Sequence, residues 1–168
     1  EYREEQLLRY GVDVTWTDFT GYFQQLIAQG TSINIASSVA PQQIRRAVVG
    51  FDNRAAEADE LEKMKSLVSQ AMEQGAVGLS AAWHSGGPEY VDELIEMAVV
   101  AAQYGGYYGT HVGSEGFDIG TELDKTFQIA RASGIPVHIY HLKIRGREHW
   151  GQIGRVIDTI ESALTEGL

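Results

Sequence analysis

A pattern of amphipathic helix, glycine and short apolar strand recurs about every thirty residues along this chain. The glycines that end the helices are Gly75, Gly105, Gly134 and Gly167, at intervals of 30, 29 and 33 residues. Glycine suits this position because it takes the left-handed conformation without steric penalty. Strands that alternate with helices at this period predict βα units around a parallel sheet.

Apolar side chains at helical spacing predict the helices themselves. The predicted helices cover about residues 88–104, 118–132 and 151–165, one more ends near Gly75, and an earlier one spans residues 19–29. We expect their apolar stripes to pack in the core. From the first helix of the repeat to the fourth, the stripes are Leu61, Met64, Leu67, Val68, Ala71 and Met72; Val91, Leu94, Ile95, Ala98 and Ala102; Ile119, Leu123, Phe127 and Ala130; and Ile153, Val156, Ile157, Ile160 and Leu164.

The predicted strands are residues 32–39, 76–82, 107–112 and 136–142. Two architectures fit such a series, a doubly wound sheet and part of a (β/α)8 barrel of the TIM type. A complete barrel needs roughly 250 residues. With 168 residues, the chain would form about half a barrel, or about four consecutive βα units.

Composition narrows the class of protein and its partners. The formal net charge of -10 argues against a nucleic acid or an anionic membrane as a partner, because both would be repelled. The chain has no cysteine, which excludes disulfides and thiolate metal ligands within it. We interpret residues 1–168 as an internal part of a single domain. The oligomeric state stays open, as does the compartment, with the cytoplasm favoured.

The stretch PVHIYHLK, residues 136–143, carries two histidines three positions apart. Side chains alternate across a strand, so His138 and His141 are expected on opposite faces and cannot bind one metal ion together. Catalytic groups of parallel βα proteins gather at the carboxyl ends of the strands. We therefore expect His141 to line a functional site and His138, lower in the strand, to face the helices.

His111 occupies the corresponding place one βα unit earlier, at the end of YYGTH. Adjacent strands lie about 5 Å apart, so the imidazoles of His111 and His141 can open on the same mouth. Glu115 either orients an imidazole or a substrate amine, or is a first-turn acid of the next helix. Lys143 either contacts a substrate carboxylate or extends into solvent. For His84 and His149, surface or capping roles are the simpler interpretation.

Other catalytic motifs are missing from the sequence. It has no G-x-S-x-G, no G-x-x-x-x-G-K-[ST] and no G-x-G-x-x-G, and thiol catalysis is excluded. Imidazoles at the mouth of a parallel barrel fit a hydrolytic metal site best.

Four runs resemble N-acyl-D-amino-acid deacylases, the D-aminoacylase-type members of the amidohydrolase superfamily. They are APQQIRRAVVGFDNRA, QAMEQGAVGLS, VAAQYGGYYGTHVGSEG and ASGIPVHIYHLKIRGREHWG, which begin at positions 40, 70, 100 and 132. T-H-x-x-S-E-G and Y-H-L-K followed by glycine are fairly specific together. The resemblance implies a zinc-dependent barrel enzyme with one or two zinc ions that hydrolyses a linear amide, the N-acyl bond of a small-molecule D-amino acid derivative.

The same resemblance implies roles for single residues. His141 matches a histidine metal ligand, and His111, Glu115 and Lys143 are expected to support the metal or contact the substrate. The family's H-x-H strand, its second later histidine and its catalytic aspartate have no counterpart here, so the resemblance implies no catalytic base in this chain and an inactive chain on its own.

Two departures from the family pattern affect the expected pocket. Gly113 stands where the family has arginine in T-H-x-R-x-E, and Trp83, His84 and Gly87 replace usual residues after G-L-S. These departures keep two alternatives open: another amidohydrolase activity, such as hydrolysis of a cyclic amide, and a non-catalytic α/β scaffold domain.

Overall fold

The computed structural model describes residues 2–82 and 88–168. Their elements, in chain order, are α1 (Tyr2–Tyr10), α2 (Phe19–Gln29), α3 (Pro41–Val48), α4 (Ala58–Glu73), β1 (Gly78–Ala82), α5 (Pro88–Gln103), β2 (Tyr107–His111), α6 (Ile119–Ser133), β3 (Val137–Ile139), a 3₁₀ helix (Arg147–Gln152) and α7 (Ile153–Thr165). From α4 onward, helices and strands alternate as the glycine repeat predicts. No helix in these two ranges is both long and apolar enough to span a lipid bilayer.

The three strands form one parallel sheet in the order β1-β2-β3. In its register, Gly109 of β2 lies opposite Ser80 of β1 and opposite His138 of β3. The prediction of an α/β protein with a parallel sheet is therefore confirmed. The helix-ending glycines are confirmed as well, because Gly75, Gly105, Gly134 and Gly167 all have positive φ, between 70° and 100°.

The strand predicted at residues 32–39 is confirmed only at its end and is wrong for residues 32–36. In this segment only Val39 forms a bridge, to Leu79, with the Val39 N–H donating to the Gly78 carbonyl at 2.9 Å. Residues 32–36 are exposed, and Ile33 keeps 71% of its surface accessible. Alternating apolar residues stabilise a strand only where one of its faces is buried, and here that condition fails.

One side of the sheet packs against the helices. Leu79, Tyr108 and Val137 lie side by side on this face and contact a core that includes α3, α4 and α5. A second cluster joins α6 to α7 around Leu123 and Phe127, and Ile139 packs against it. Burial of these apolar groups, at about 25 cal/mol per Å², holds the helices on this side of the sheet.

The predicted core stripes of α4, α5 and α6 are largely confirmed, but that of α7 is only partly so. Val156 of α7 is buried, whereas Ile153, Ile157 and Leu164 are 45%, 45% and 64% exposed. Periodicity predicts that a stripe exists, and a second element must lie over the stripe to bury it. The α2 helix, which matches its predicted bounds, likewise has no buried residue.

The α3 helix was not predicted, although Pro41 in its first turn is a signal for a helix start. Its buried Arg45 pairs with Glu93 of α5, with Nε 2.8 Å from Oε2. The same guanidinium donates to the carbonyls of Asp52 and Arg54, while the Ala56 N–H donates to Glu93 Oε1. This network fixes the loop between α3 and α4.

Candidate metal centre

The side of the sheet away from the helices carries polar and small residues. Ser80, Tyr107, Gly109, His111 and His138 alternate with the buried strand residues and define what we name the open face. His111 is the last residue of β2, so its imidazole lies at the carboxyl end of that strand. In parallel βα proteins this edge is where functional side chains collect.

His141 reaches the same edge through a turn rather than by strand alternation. The β3 strand ends at Ile139, and Tyr140 and His141 form the turn that follows. A continued strand would point His141 to the helix side, like Ile139. Instead, His141 has φ of 36°, the one positive φ of a non-glycine residue in the described ranges. The turn brings its Nε2 to 2.9 Å from Nδ1 of His111.

The predictions for the faces of this segment were wrong in detail. Val137 and Ile139 pack against the two apolar clusters, so His138 lies on the open face and not toward the helices. Its ring lies 5.3 Å from that of Tyr140 and 6.4 Å from that of Tyr107. The prediction placed Val137 and Ile139 on the side of the site, whereas they face the helices. In addition, the strand ends at Ile139, so His141 and Lys143 lie on neither face of the strand.

Glu115 and Lys143 lie beside the two imidazoles. Glu115 follows β2 in a loop and precedes the start of α6, so it is not a first-turn acid. Its Oε1 lies 3.5 Å from Nδ1 of His141 and 3.8 Å from Nδ1 of His111. The Lys143 ammonium pairs with the same oxygen and lies 3.0 Å from Nδ1 of His141. The structure therefore brings all four predicted site residues together.

The tautomers of the two histidines follow from Lys143. An ammonium group only donates hydrogen bonds, so the Nδ1 of His141 accepts from Lys143 and its proton sits on Nε2. That Nε2–H then donates to Nδ1 of His111, which accepts. This assignment, inferred from the network, leaves a neutral imidazole pair whose shared proton a metal ion would have to displace.

Glu115 is held in its charged form. The hydrogen bond from the Lys143 ammonium lowers the pKa of the Glu115 carboxyl, against an opposing effect of partial burial, and the charge of Lys143 adds to the lowering. Near neutral pH, Glu115 therefore offers a carboxylate oxygen and not a proton.

The donor set fits a divalent metal ion. One ligand atom from each of His111, Glu115 and His141 lies within 4.8 Å of the other two. Two imidazoles and one carboxylate form a ligand set found in hydrolytic zinc enzymes, where a further position stays open for water or substrate. The side chain of His141 is 54% exposed, which leaves such a position accessible. Lys143 would have to leave Glu115 when a cation binds there, because like charges repel.

The family resemblance implies a single metal ligand in this chain, His141. The geometry makes His111 and Glu115 equal candidates. The signal was available in the 30-residue interval between His111 and His141, which places both at the carboxyl ends of neighbouring strands.

Two of the remaining candidates, His149 and Gly113, lie in the described ranges. His149 is in the 3₁₀ helix, where its ring lies 6.3 Å from that of Phe117. Gly113 is in the loop between His111 and Glu115. The predictions for Trp83, His84 and Gly87 fall outside the described residues.

Comparison with known proteins identifies relatives of a single kind. D-aminoacylase of Alcaligenes xylosoxydans xylosoxydans is 32% identical over 160 residues. A solved D-aminoacylase structure, described as defining a novel subset of amidohydrolases, superposes with a TM-score of 0.83 at 32% identity over 95% of this chain. N-acyl-D-glutamate deacylase from Bordetella bronchiseptica, solved with zinc and a phosphonate mimic of the tetrahedral intermediate, gives a TM-score of 0.82 at 27% identity over 89% of this chain. No protein-family model matches.

The match covers nearly all of this chain but only part of each relative. It includes 94% of this chain and 33% of the Alcaligenes enzyme, and 34% and 32% of the two solved chains. The chain thus spans about a third of the length of its relatives. Within that third, the resemblance noted from the four sequence runs is confirmed.

Proposed function

We propose that the protein containing this chain, a relative of the N-acyl-D-amino-acid deacylases, is a metal-dependent amidohydrolase that hydrolyses the acyl amide bond of N-acyl-D-amino acids. The relatives suggest the reaction class. One observation in this chain carries the proposal: Nδ1 of His111 and Nε2 of His141 lie 2.9 Å apart, with the Glu115 carboxylate beside them, at the ends of adjacent parallel strands.

The proposed setting is a (β/α)8 barrel, with residues 1–168 as an internal part of that single domain. Three parallel strands in sequence order, each followed by a helix, are typical of consecutive barrel units. The open face would then line the barrel interior, and the centre would lie at its catalytic mouth.

The proposed metal is zinc, one or two ions, held in part by His111, His141 and Glu115. Imidazole nitrogen and carboxylate oxygen are both zinc ligands, and the Bordetella relative was solved with zinc. When bound, zinc polarises an amide carbonyl and lowers the pKa of water to about 7. Further ligands and the catalytic aspartate, which the family resemblance implies, would come from other parts of the protein.

The position of Lys143 favours a substrate that carries a carboxylate. Its ammonium is half exposed and lies within the cluster, although the chain as a whole has a net charge of -10. A local cation in an acidic protein attracts an anionic substrate to one place. Once released from Glu115, Lys143 would bind the carboxylate of an N-acyl amino acid and orient its amide toward the two imidazoles.

The direct test is to measure zinc content and deacylase turnover of the intact protein with and without each imidazole. We expect His111→Ala and His141→Ala each to lose bound zinc. Turnover should fall more than about 100-fold, beyond the loss typical of residues that only support a ligand. The matched control is His138→Phe, which keeps an aromatic ring near Tyr140 but removes the imidazole nitrogens, and it should keep its zinc.

Three results would contradict the proposal. One is unchanged zinc content in both alanine variants, and another is an equal loss in the His138→Phe control. The third is an intact, zinc-loaded protein that releases no amino acid from any of a panel of N-acyl-D-amino acids with acidic, apolar and polar side chains.

A further inference from the structure

Gly109 stands at the middle of β2 for reasons of space and not of backbone conformation. It is not among the glycines with positive φ. A Cβ atom there would lie 2.0 Å from the hydroxyl oxygen of Tyr140 and 2.5 Å from its Cζ. An aromatic ring is rigid, so any side chain at this position would force Tyr140 off the open face. Gly109 therefore provides the space in which the Tyr140 phenol lies.

The Tyr140 phenol crosses β2 and is anchored on the far strand. Its hydroxyl donates to Oγ of Ser80 in β1 at 3.2 Å. Its backbone N–H donates to the Thr110 carbonyl at 2.8 Å. The ring of His138 packs at its side, 5.3 Å between centroids. Tyr140 is thus fixed at both its backbone and its hydroxyl end.

This anchor immediately precedes the residue with the unusual backbone. His141 has φ of 36°, a conformation that is unfavourable for a non-glycine residue and persists only where the surroundings hold it. The two hydrogen bonds of Tyr140 define where the chain leaves β3. Without them, the turn can relax, and the His141 imidazole can move away from His111.

We propose that Tyr140 is a positioning residue: its phenol, anchored on Ser80 across the bare backbone of Gly109, holds the turn that presents the His141 imidazole to His111. The inference rests on the proposed function in one respect, since it assigns Tyr140 a role in preparing the metal centre. Neither Tyr140 nor Gly109 contacts the metal or the substrate in this assignment.

The test uses the intact protein, titrated in its metal-free form with cobalt(II), whose visible absorption reports both affinity and coordination geometry. We expect Gly109→Ala to weaken cobalt binding about 10- to 100-fold, the range for residues that orient a ligand, and to alter the visible spectrum. Tyr140→Phe, which keeps the ring but loses the hydroxyl and its bond to Ser80, should weaken binding about fivefold. The control Gly154→Ala places its methyl group in open space on α7 and should bind cobalt as the parent does.

A double variant separates positioning from a general loss of structure. Tyr140→Ala removes the ring that a methyl group at position 109 would strike. Gly109→Ala combined with Tyr140→Ala should therefore bind cobalt within about twofold of Tyr140→Ala alone. Strictly additive losses would overturn the proposal, as would parent-like affinity and spectra in both Gly109→Ala and Tyr140→Phe.

A metal-free crystal structure of the Gly109→Ala variant, or of Tyr140→Phe if the former does not fold, tests the inference apart from the proposed function. The expected result is a His141 imidazole beyond hydrogen-bond distance of His111. An unchanged imidazole pair would overturn the positioning role even if zinc and turnover behave as proposed. Conversely, a separated pair in a protein that never binds metal would support positioning and refute the proposed function.

Discussion

Two ionic clusters in this chain are built around a shielded carboxylate, yet they differ in what surrounds it. The first, the closed cluster, consists of Arg45 and Glu93, whose side chains are 11% and 6% exposed. The second, the open cluster, consists of His111, Glu115, His141 and Lys143. Glu115 is only 10% exposed, but His141 and Lys143 are 54% and 50% exposed.

In the closed cluster, every partner is already committed. Nε of Arg45 donates to Glu93, its two other nitrogens donate to the carbonyls of Asp52 and Arg54, and its guanidinium lies 4.2 Å from the ring centre of Tyr90. A saturated group of this kind stabilises a loop and has no capacity left for a ligand.

In the open cluster, the partners are exchangeable. Imidazoles can donate, accept or bind a metal ion, and the Lys143 ammonium can move into solvent. If the proposed function holds, similar carboxylate shielding serves stability in the closed cluster and chemistry in the open cluster.

The largest effect should come from breaking the closed cluster. Arg45→Ala leaves the Glu93 carboxylate buried without its cation, and we expect a loss of about 3–5 kcal/mol in the free energy of unfolding. Urea denaturation of the intact protein measures it. The control is Arg54→Ala, which removes the cation that pairs with Glu60. The Arg54 side chain is 39% exposed, so this change should lower the free energy of unfolding much less. Equal losses in the two variants would remove the distinction between a closed cluster and a surface ion pair.

Changing the carboxylate of the open cluster should affect metal binding far more than stability. Glu115→Gln keeps the shape of the side chain but removes its charge. We expect zinc affinity to fall about 10- to 100-fold, with little change in unfolding by urea. Competition with a coloured chelator measures the affinity. Parent-like zinc binding would exclude Glu115 from the metal centre.

Removing the cation of the open cluster should have a smaller effect of opposite sign. Lys143→Met deletes the ammonium that shares Oε1 of Glu115, so zinc should bind up to about fivefold more tightly. The KM for an N-acyl amino acid should rise, because the substrate carboxylate loses its partner. Weaker zinc binding in this variant would show that Lys143 supports the metal centre rather than competing with the ion.

The smallest expected effect is the loss of stability at acidic pH that follows protonation of Glu115. The ion pair with Lys143 lowers the folded-state pKa of Glu115, so its contribution to stability is complete above the unfolded pKa of about 4.3. That contribution is lost as the pH falls through the lowered folded value. Carboxyl NMR should find Glu115 titrating below its usual range in the parent and nearer that range in Lys143→Met. Glu60, paired with Arg54, has its pKa lowered to about 2 and should be unaffected by Lys143→Met.

How much of this could be read from the sequence depends on whether a feature is local. The helix-ending glycines follow from local conformational preference, and they fixed the order of βα units correctly. The sequence also predicted that His111 and His141 lie close together, since they occupy the same position in successive repeats. The exposure of Ile157 did not follow, because burial depends on which element lies above a stripe.

The orientation of His141 shows the same limit most clearly. Alternation along an assumed strand to residue 142 predicted that His141 and not His138 would face the mouth. The strand in fact ends at Ile139, with the opposite parity, and a turn at positive φ restores His141 to the site. The contacts that we propose hold this turn, those of the Tyr140 phenol with Gly109 and Ser80, reach two other strands, and the local sequence does not reveal them.

The central claim is that His111 and His141 together bind one metal ion. The most direct measurement is anomalous diffraction at the zinc edge from crystals of the intact protein grown with zinc. We predict an anomalous peak bonded to Nδ1 of His111 and Nε2 of His141, with the direct contact between the two imidazoles broken. A retained contact between these nitrogens, with no anomalous peak beside them, would contradict the account.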